Sequence, residues 1–323
     1  MNTNKTSLSI IVPIYNVENY VPRLINCIKN QSNKNFEVVF VDDGSTDESY
    51  RILLEESKKI INEYRIIPKK NGGLSSARNI GLKNATRNYV FFLDSDDEIS
   101  FDFVDKILST ASSNKFPDTI IFDYSSIDEG GKIVLDEYGH GEIYEIEDTI
   151  PNEIALRELS KDSIPITAWS FVTKKSLLLE NNIYFSEGKK FEDTNFTPKV
   201  FYYSKNIKLI PEKLYKYRQR TGSIMNLHSI KDADDAIFVT KDLWFFALNT
   251  KNQYLMAVVG RSVYATLSAF LSSPNVYDEV RPILLDSRRM FLKQNFSKLK
   301  WVKMYLFQYY LGYKLYSKIK ENV

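Results

Sequence analysis

The sequence predicts an α/β fold with a mostly parallel central sheet, followed by a helical C-terminal region. In the first hundred residues, short apolar runs alternate with segments whose apolar residues recur at helical spacing. The apolar runs are continuous and rich in β-branched and aromatic residues, which is typical of strands buried on both faces. Strands and helices in alternation indicate a parallel sheet with right-handed crossovers.

Four strands and two helices account for this first part of the chain. The strands are predicted at LSIIVPI (8–14), FEVVFV (36–41), YRII (64–67) and YVFFL (89–93). The helices are predicted at 17–31 and 46–62. Ser45 and Glu48 have the spacing of a capping box, so we expect them to cap the second helix.

The pattern is weaker from residue 116 to 226. Two strands at 118–127 and 131–139 are predicted to be joined by the turn DEGG, and a helix is predicted at 154–160. FEDTNFTPKVFYYS (191–204) has the pattern of a helix N-terminus, and KLIPEKLYKYRQR (208–220) that of a late strand. We therefore expect one α/β domain over residues 1–226.

Residues 227–323 are predicted to form a helical region that becomes basic and aromatic. Its part from 287 to 320 contains nine Lys or Arg residues and no acidic residue. Basic, aromatic and amphipathic helices are typical of membrane surfaces. Packing on the preceding domain, or a contact in a homodimer, explains the same pattern equally well.

The composition bounds the class of protein. With 43% hydrophobic and 26% charged residues the chain is globular, and its net charge of +2 argues against a nucleic-acid partner. Cys27 is the only cysteine, which excludes an intrachain disulfide and a zinc site built from cysteines. The N-terminus lacks the pattern of a secretory signal, and no stretch approaches the roughly 20 apolar residues of a membrane span. We expect a cytoplasmic protein.

Polar or small residues follow each of the first four strands. They are Tyr15 and Asn16, then DDGSTD (42–47), KKNGGLSSARN (69–79) and DSDD (94–97). In open α/β sheets, ligands bind at the carboxyl ends of the strands. The sequence therefore predicts that four loops form one binding site.

The last of these loops carries four carboxylates within five residues: Asp94, Asp96, Asp97 and Glu98. A solvated turn is the ordinary explanation, but crowded carboxylates beside a buried strand favour a divalent cation shared with substrate phosphates. An EF-hand is excluded because its required glycine and glutamate are replaced by Ile99 and Asp105. Neither G-x-G-x-x-G nor a P-loop is present. We expect Asp97 and Glu98 to cap the next helix.

Three segments, in this order, resemble the family 2 glycosyltransferases. They are SIIVPIYNVENYVPRLINCIKNQSNKNFEVVFVDDGSTDES, NGGLSSARNIGL and YVFFLDSDDEI, and the resemblance covers about residues 7–226. It implies the GT-A fold, a UDP-sugar donor and a divalent metal, manganese or magnesium. The Q-x-x-R-W signature of processive synthases is missing, which favours addition of a single sugar.

The resemblance also implies roles in donor binding. Tyr15 would stack on the base, Asp43 would read the uracil edge with support from Asp42, and Asp94 and Asp96 would bind the metal. The full nucleotide-binding set is Pro13, Tyr15, Asp42, Asp43, Asn71, Arg78, Asp94 and Ser95. Each of three residues also has a structural explanation: Tyr15 as core, Asp43 as a turn former and Arg78 as an exposed helix residue.

The acceptor side is implied by FEDTNFT. Asp193 matches the general base of the family and Glu192 its neighbour at the acceptor, although Asp193 would also suit a helix cap. Trp169 in AWSFVTKK is a predicted acceptor contact, but Ser170 and Phe171 replace the polar pair common in relatives.

A segment that closes over the diphosphate is implied by YKYRQRTGSIMN (215–226). Arg218 and Arg220, on one face of a strand, and Ser223 would contact the diphosphate. In a surface hairpin the same arginines would simply be solvated.

The predicted function is therefore inverting transfer of one sugar to a hydroxyl of a glycan or a lipid-linked acceptor, at the inner face of the membrane. Two alternatives stay open. A sugar nucleotidyltransferase would need an early Gly-rich phosphate loop with a lysine, which is absent. A non-catalytic partner subunit is disfavoured by the presence of Asp96 and Asp193.

Overall fold

The computed structural model describes residues 6–60, 62–113, 116–135, 149–219 and 230–270. In these residues ten strands form one sheet. The strands are β1 Leu8–Ile14, β2 Phe36–Asp42, β3 Glu63–Pro68, β4 Tyr89–Phe92, β5 Glu98–Ile99, β6 Thr119–Ile127, β7 Ile133–Leu135, β8 Thr149–Ile150, β9 Phe171–Lys174 and β10 Ile207–Arg218.

Nine α-helices are described in the same residues. They are α1 Val21–Lys29, α2 Ser49–Glu56, α3 Leu74–Asn84, α4 Phe103–Ala111, α5 Asn152–Ser160, α6 Lys175–Glu180, α7 Asp193–Tyr203, α8 Ile230–Thr250 and α9 Gln253–Phe270. Short 3-10 helices cover Ser57–Lys59 and Ala168–Ser170.

The sheet has the order β3-β2-β1-β4-β9-β6-β10-β5, with β7 paired to β6 and β8 to β10. Strands β3, β2, β1 and β4 are parallel, and so are β6 and β10. Strand β9 runs antiparallel between β4 and β6, so β6 and β10 point in the same direction as β4. The predicted, mostly parallel α/β sheet is confirmed. The carboxyl ends of its six parallel strands share one edge.

Helices cover both faces of the sheet. In β1, Ile10 and Val12 pack with α1, α2 and α4, whereas Ile11 packs on the opposite face with α3 and α5 to α9. This alternation follows from the two-residue period of a strand. The chain therefore has three layers, and the described C-terminal helices belong to one of its two cores.

The loops after β1 and β2 are longer than predicted. Helix α1 begins at Val21 rather than at residue 17, and α2 begins at Ser49 rather than at residue 46. The capping box is wrong: α2 has no side-chain cap, and Ser45 Oγ instead accepts from the Asn16 N–H at 3.3 Å. Hydrogen bonds between the two loops hold Asn16, Ser45 and Thr46 outside the helices, and each helix therefore begins later than predicted.

Among the described residues, no helix combines the length and the hydropathy that crossing a bilayer requires. The predictions for Arg220, for Ser223 and for the basic, aromatic segment after residue 270 fall outside the described residues.

Candidate active site

The first wall of the site is the pair of loops after β1 and β2. Asn16 has a φ of 51° and its Oδ1 accepts the Thr46 N–H at 2.8 Å, which ties the two loops together. Tyr15, the residue before it, is 46% exposed. The structure therefore excludes the alternative that Tyr15 is core, and it leaves the side chain accessible at the carboxyl edge. Pro13 lies in β1, buried and opposite Val41 in the register.

Asp43 holds the loop after β3. Its Oδ1 accepts the Gly72 N–H at 2.9 Å and pairs with Lys69, and its Oδ2 accepts the Gly73 N–H at 2.7 Å. Gly44 lets the loop come this close, because its φ is +73° and a Cβ there would lie 2.9 Å from the Asn71 nitrogen. Both oxygens of Asp43 thus hold the loop after β3 in place.

Asp42, the neighbour of Asp43, has acceptor capacity to spare. Its Oδ2 accepts the Ser45 N–H at 3.4 Å, whereas its buried Oδ1 has no hydrogen-bond partner. A buried carboxylate oxygen without a donor is costly. Of the two aspartates, Asp42 is therefore the one with a buried oxygen that has no hydrogen-bond partner. Asn71 is exposed in the same loop region, and Ser95 is buried after β4.

Arg78 is the centre of the site. Its guanidinium, 2% exposed, lies 2.7 Å from Asp94, 2.8 Å from Glu192 and 3.3 Å from Asp193. Burial opposes the charge, but the carboxylates outweigh burial and raise the pKa of Arg78. The alternative of an exposed helix residue is wrong. Since Asp94 follows β4 and Asp193 begins α7, one side chain joins two predicted halves of the site.

Asp193 has a pKa near neutrality. Burial, and then the charge of Glu192, raise the pKa of Asp193 to about 7, while Arg78 and the N–H of Ala168 act in the opposite direction. The residue before α7 is Glu192, and no side chain caps this helix. The structure thus does not support the alternative that Asp193 is a helix cap. A pKa near the working pH is what a general base requires.

Asp97 and Glu98 do not cap the next helix, so that prediction is wrong. The Asp97 carboxylate accepts from Tyr215 Oη at 2.5 Å and from the Arg218 N–H at 2.6 Å, and Glu98 pairs with the Arg218 guanidinium. The physical reason is the pairing of β5 with β10, which turns these side chains inward. Burial raises the pKa of Asp97 well above its usual range, and the charges of Asp96 and Asp94 raise it further.

Arg218 holds the acidic loop after β4 through hydrogen bonds to backbone carbonyls. Its Nε donates to the Asp96 carbonyl at 2.9 Å, and its Nη1 donates to the carbonyls of Asp128 at 2.8 Å and Glu129 at 2.9 Å. With Glu98 on Nη2, each of the three guanidinium nitrogens donates to the protein, and the side chain is 1% exposed. This contradicts the predicted diphosphate contact for Arg218. The residue instead fixes the backbone between the two predicted metal ligands and β5.

Trp169 is packed rather than presented to an acceptor. Its ring stacks on Tyr215 with centroids 4.5 Å apart and 6° between planes, and on Tyr217 at 5.6 Å. Tyr124 meets it edge-on at 4.9 Å, and only 6% of the residue is exposed. The prediction that Trp169 directly contacts an acceptor is therefore not supported. The alternation of Tyr215 and Tyr217 in β10 was a signal for this stack that sequence reasoning missed.

A divalent cation fits the donor set of the acidic loop. Asp94 and Asp96 offer carboxylate oxygens, and magnesium-type ions commonly bind one or two carboxylates together with substrate phosphates. Burial is the main cause of the raised pKa of Asp97, and the negative charges of Asp96 and Asp94 add to it. Within the described ranges, no group of three or more His, Cys, Asp or Glu residues is placed to hold a metal ion.

Comparisons with known proteins point to one family. The family described as Glycosyl transferase family 2 matches residues 9–163. Glycosyltransferase GlyG of Streptococcus pneumoniae is 31% identical over 222 residues, which cover 68% of this chain and 72% of GlyG. Glycosyltransferase GlyA of the same organism is 34% identical over 238 residues, or 70% of this chain. The chain covers 33% of the length of GlyA.

A solved structure shows the same fold. The crystal structure of TarS residues 1–349 of Staphylococcus aureus in complex with UDP-GlcNAc has a TM-score of 0.69 and 22% identity, covering 88% of this chain and 81% of that chain. The full TarS sequence, a poly(ribitol-phosphate) β-N-acetylglucosaminyltransferase, is 30% identical over 230 residues, which are 70% of this chain and 38% of TarS. Together with the similarity to GlyG, these findings show that the chain belongs to glycosyl transferase family 2.

Proposed function

We propose that the protein is an inverting, metal-dependent transferase that moves one sugar from a UDP-sugar to a hydroxyl of a glycan or lipid-linked acceptor in surface polysaccharide synthesis. The observation that carries the proposal is the contact of one buried guanidinium with Asp94 on the donor side and with Glu192 and Asp193 on the acceptor side. Arg78 thereby links the aspartate on the donor side to the proposed base through ion pairs.

Asp193 is the proposed general base. Its pKa of about 7 leaves a large deprotonated fraction at neutral pH and keeps the carboxylate basic enough to accept a proton from the acceptor hydroxyl. Glu192, directly before it, would orient the acceptor while its charge helps to keep the Asp193 pKa high.

The proposed donor is a UDP-sugar, and UDP-GlcNAc is the first one to test. TarS, which shares the fold, was crystallised both with UDP-GlcNAc and with UDP. Tyr15 has an exposed ring for stacking on uracil. Asp43, with support from its neighbour Asp42, is the proposed partner of the uracil edge, since both residues lie where β2 ends, at the carboxyl edge of the sheet.

Manganese or magnesium would be held by Asp94 and Asp96 together with diphosphate oxygens. When bound, such an ion stabilises the negative charge that develops on the departing diphosphate. Arg78 balances the charge of Asp94 on the opposite side, and Arg218 fixes the carbonyl of Asp96.

Two substitutions test the assignment of roles. Asp193→Asn should abolish sugar transfer and leave the Kd for UDP nearly unchanged, because the base contacts the acceptor and not the nucleotide. Asp96→Ala should weaken UDP binding only when manganese is present. Transfer can be followed as UDP release and binding by calorimetry, with the exposed Glu180→Gln as the control. Near-normal transfer by Asp193→Asn would exclude the proposed base.

We also propose that the basic, aromatic segment after residue 270 brings the enzyme to the membrane surface, where a lipid-linked acceptor would be found. The support is its composition, with nine basic and no acidic residues from 287 to 320. The full chain should sediment with vesicles containing anionic lipid, and a chain ending at residue 270 should not. Equal sedimentation of both chains would exclude the proposal. If the full chain is a dimer and the shorter chain a monomer, and neither binds vesicles, the segment makes a homodimer contact instead.

A further inference from the structure

The segment that leads to the predicted base has an unusual backbone. Residues 183–193, here called the base segment, join α6 to α7 and end at Glu192 and Asp193. Gly188 has a φ of +70°, and Phe191, two residues before Asp193, has a φ of +60°. A bulky side chain rarely adopts this conformation, which persists only where the surroundings hold it. The base segment therefore needs contacts from outside.

Helix α8 supplies such contacts with two acidic residues. Asp235 Oδ1 pairs with Lys189 Nζ at 2.9 Å, and its Oδ2 accepts the Lys190 N–H at 3.2 Å. Asp232, one turn earlier, pairs with Lys190 Nζ at 2.7 Å. Residues three apart lie on one face of a helix, so α8 meets two consecutive lysines of the base segment with a single face.

The same face of α8 also holds the start of α7. Asp242, seven residues after Asp235, accepts from Asn195 Nδ2 at 2.7 Å and from Lys199 Nζ at 2.5 Å. Contacts from α8 therefore lie on both sides of Glu192 and Asp193, at residues 189–190 and again at 195 and 199.

Burial indicates that these acidic residues depend on the base segment. The side chains of Asp232 and Asp235 are only 4% and 3% exposed, whereas Lys189 is 31% exposed. Buried carboxylates are costly unless they are paired, and breaking such a pair leaves an uncompensated charge. Lys189 also lies 4.9 Å above the ring of Phe238 on α8. The two carboxylates of α8 are therefore held in place by burial and need their lysine partners, whereas the Lys189 side chain is partly exposed to solvent.

We propose that Asp232 and Asp235 are positioning residues for sugar transfer: they hold the base segment so that the Asp193 carboxylate stays beside Arg78 and within reach of the acceptor hydroxyl. This inference rests on the proposed role of Asp193. It assigns a part in the reaction to α8, which lies beyond residues 9–163 where the family matches. A small displacement of a catalytic group lowers the rate of the chemical step without weakening donor binding.

The test compares Asp235→Asn and Lys189→Gln with Asp234→Asn in the full chain. Asp234 is the exposed neighbour of Asp235, so the control removes the same charge from the same turn of α8. Calorimetry with UDP gives the number of binding sites per chain, and UDP-sugar turnover is then expressed per UDP site. This normalisation removes any effect of unfolded protein.

We expect kcat per UDP site to fall about tenfold or more in Asp235→Asn and in Lys189→Gln, with the UDP Kd and the donor KM within about twofold of the original chain. Asp234→Asn should behave like the original chain. The double variant Asp235→Asn with Lys189→Gln should lose no more than Asp235→Asn alone, because both changes break one contact.

Unchanged kcat per UDP site in both single variants would overturn the inference. Asp193→Asn, measured in the same assay, separates the two proposals. An inactive Asp193→Asn, together with fully active Asp235→Asn and Lys189→Gln variants, overturns only the positioning role. An active Asp193→Asn overturns the proposed base, and the positioning role with it.

Discussion

At the scale of the residue, the site is a balance of charge around one buried arginine. Three carboxylates surround Arg78, and a single positive charge does not neutralise three negative ones. Burial and then the charge of Glu192 raise the pKa of Asp193, and the charge of Arg78 only partly offsets them. The ion pairs that hold the site together therefore also tune its proposed base.

The raised pKa predicts how Asp193 affects stability. An aspartate with a pKa of 3.8 when unfolded and about 7 when folded destabilises the fold where it is ionised in both states, above pH 7. The penalty disappears below about pH 4, where both states are protonated. Asp193→Asn should therefore unfold at a higher urea concentration at pH 8. The free energy of unfolding should rise by at most about 4 kcal/mol. Equal unfolding midpoints at pH 8 would contradict the pKa assignment.

The same pKa predicts the pH dependence of transfer. The base must be deprotonated, so kcat in the original chain should fall as the pH drops through about 7. Measurement of kcat at saturating donor and acceptor between pH 5.5 and pH 8.5, a window chosen to span about 1.5 units on either side of 7, checks this. A pH-independent kcat across that window would argue against Asp193 as the base.

At the scale of the element, the position of Arg78 depends on how closely α3 approaches β1. Gly81 faces the sheet, and a Cβ at this position would lie 2.2 Å from Ile11 Cγ2. Both partners are fully buried in the same core, so neither side has room to move. The helix that carries Arg78 can therefore lie flat on the sheet only because residue 81 lacks a side chain.

Gly81→Ala should consequently destabilise the protein, although alanine is the better helix former by about 1 kcal/mol. Overpacking of a tight core costs about 1–3 kcal/mol, and here the clash involves a fully buried β-branched side chain. Urea unfolding of Gly81→Ala and of Lys83→Ala, an exposed position on the same helix, provides the comparison. A Gly81→Ala protein as stable as Lys83→Ala would show that α3 can shift.

At the scale of the whole molecule, the C-terminal helices complete a core that the sheet begins. Leu243, Leu255, Val259 and Val263 of α8 and α9 are fully buried in the same cluster as Ile11 of β1. Helix α9 packs on α5, and α8 packs on α7. The apolar faces of α5 and α7 would thus be exposed to water if the chain ended before α8.

A chain ending at residue 226 should therefore fail to fold cooperatively, whereas a chain ending at residue 270 should melt as one unit. The reason is the loss of a large buried apolar area together with the ion pairs between α8 and the base segment. Thermal unfolding followed by circular dichroism distinguishes the two. A sharp transition of the chain ending at residue 226, with intact UDP binding, would instead show an autonomous domain.

Much of the fold could be predicted because its signals are local. The strand runs, the alternation with helices and the polar residues at strand ends depend on neighbouring residues only. The same holds for the motifs that indicate the family, and for Asp193 beside Glu192. Tyr15 was assigned correctly to the accessible edge of the sheet, for it directly follows a strand.

The partners of charged residues could not be predicted, because they come from distant parts of the chain. Asp97 and Tyr215 are 118 residues apart, and Arg78 and Glu192 are 114 apart. No local pattern shows that β5 pairs with β10, so nothing in the sequence indicated that Asp97 is buried or that Arg218 binds carbonyl groups. The sequence by itself determined the family, the four strands of the first half and the polar residues at their carboxyl ends. Only the tertiary structure decided which charges meet, since a charge is tuned by whatever the fold places within a few ångströms of it.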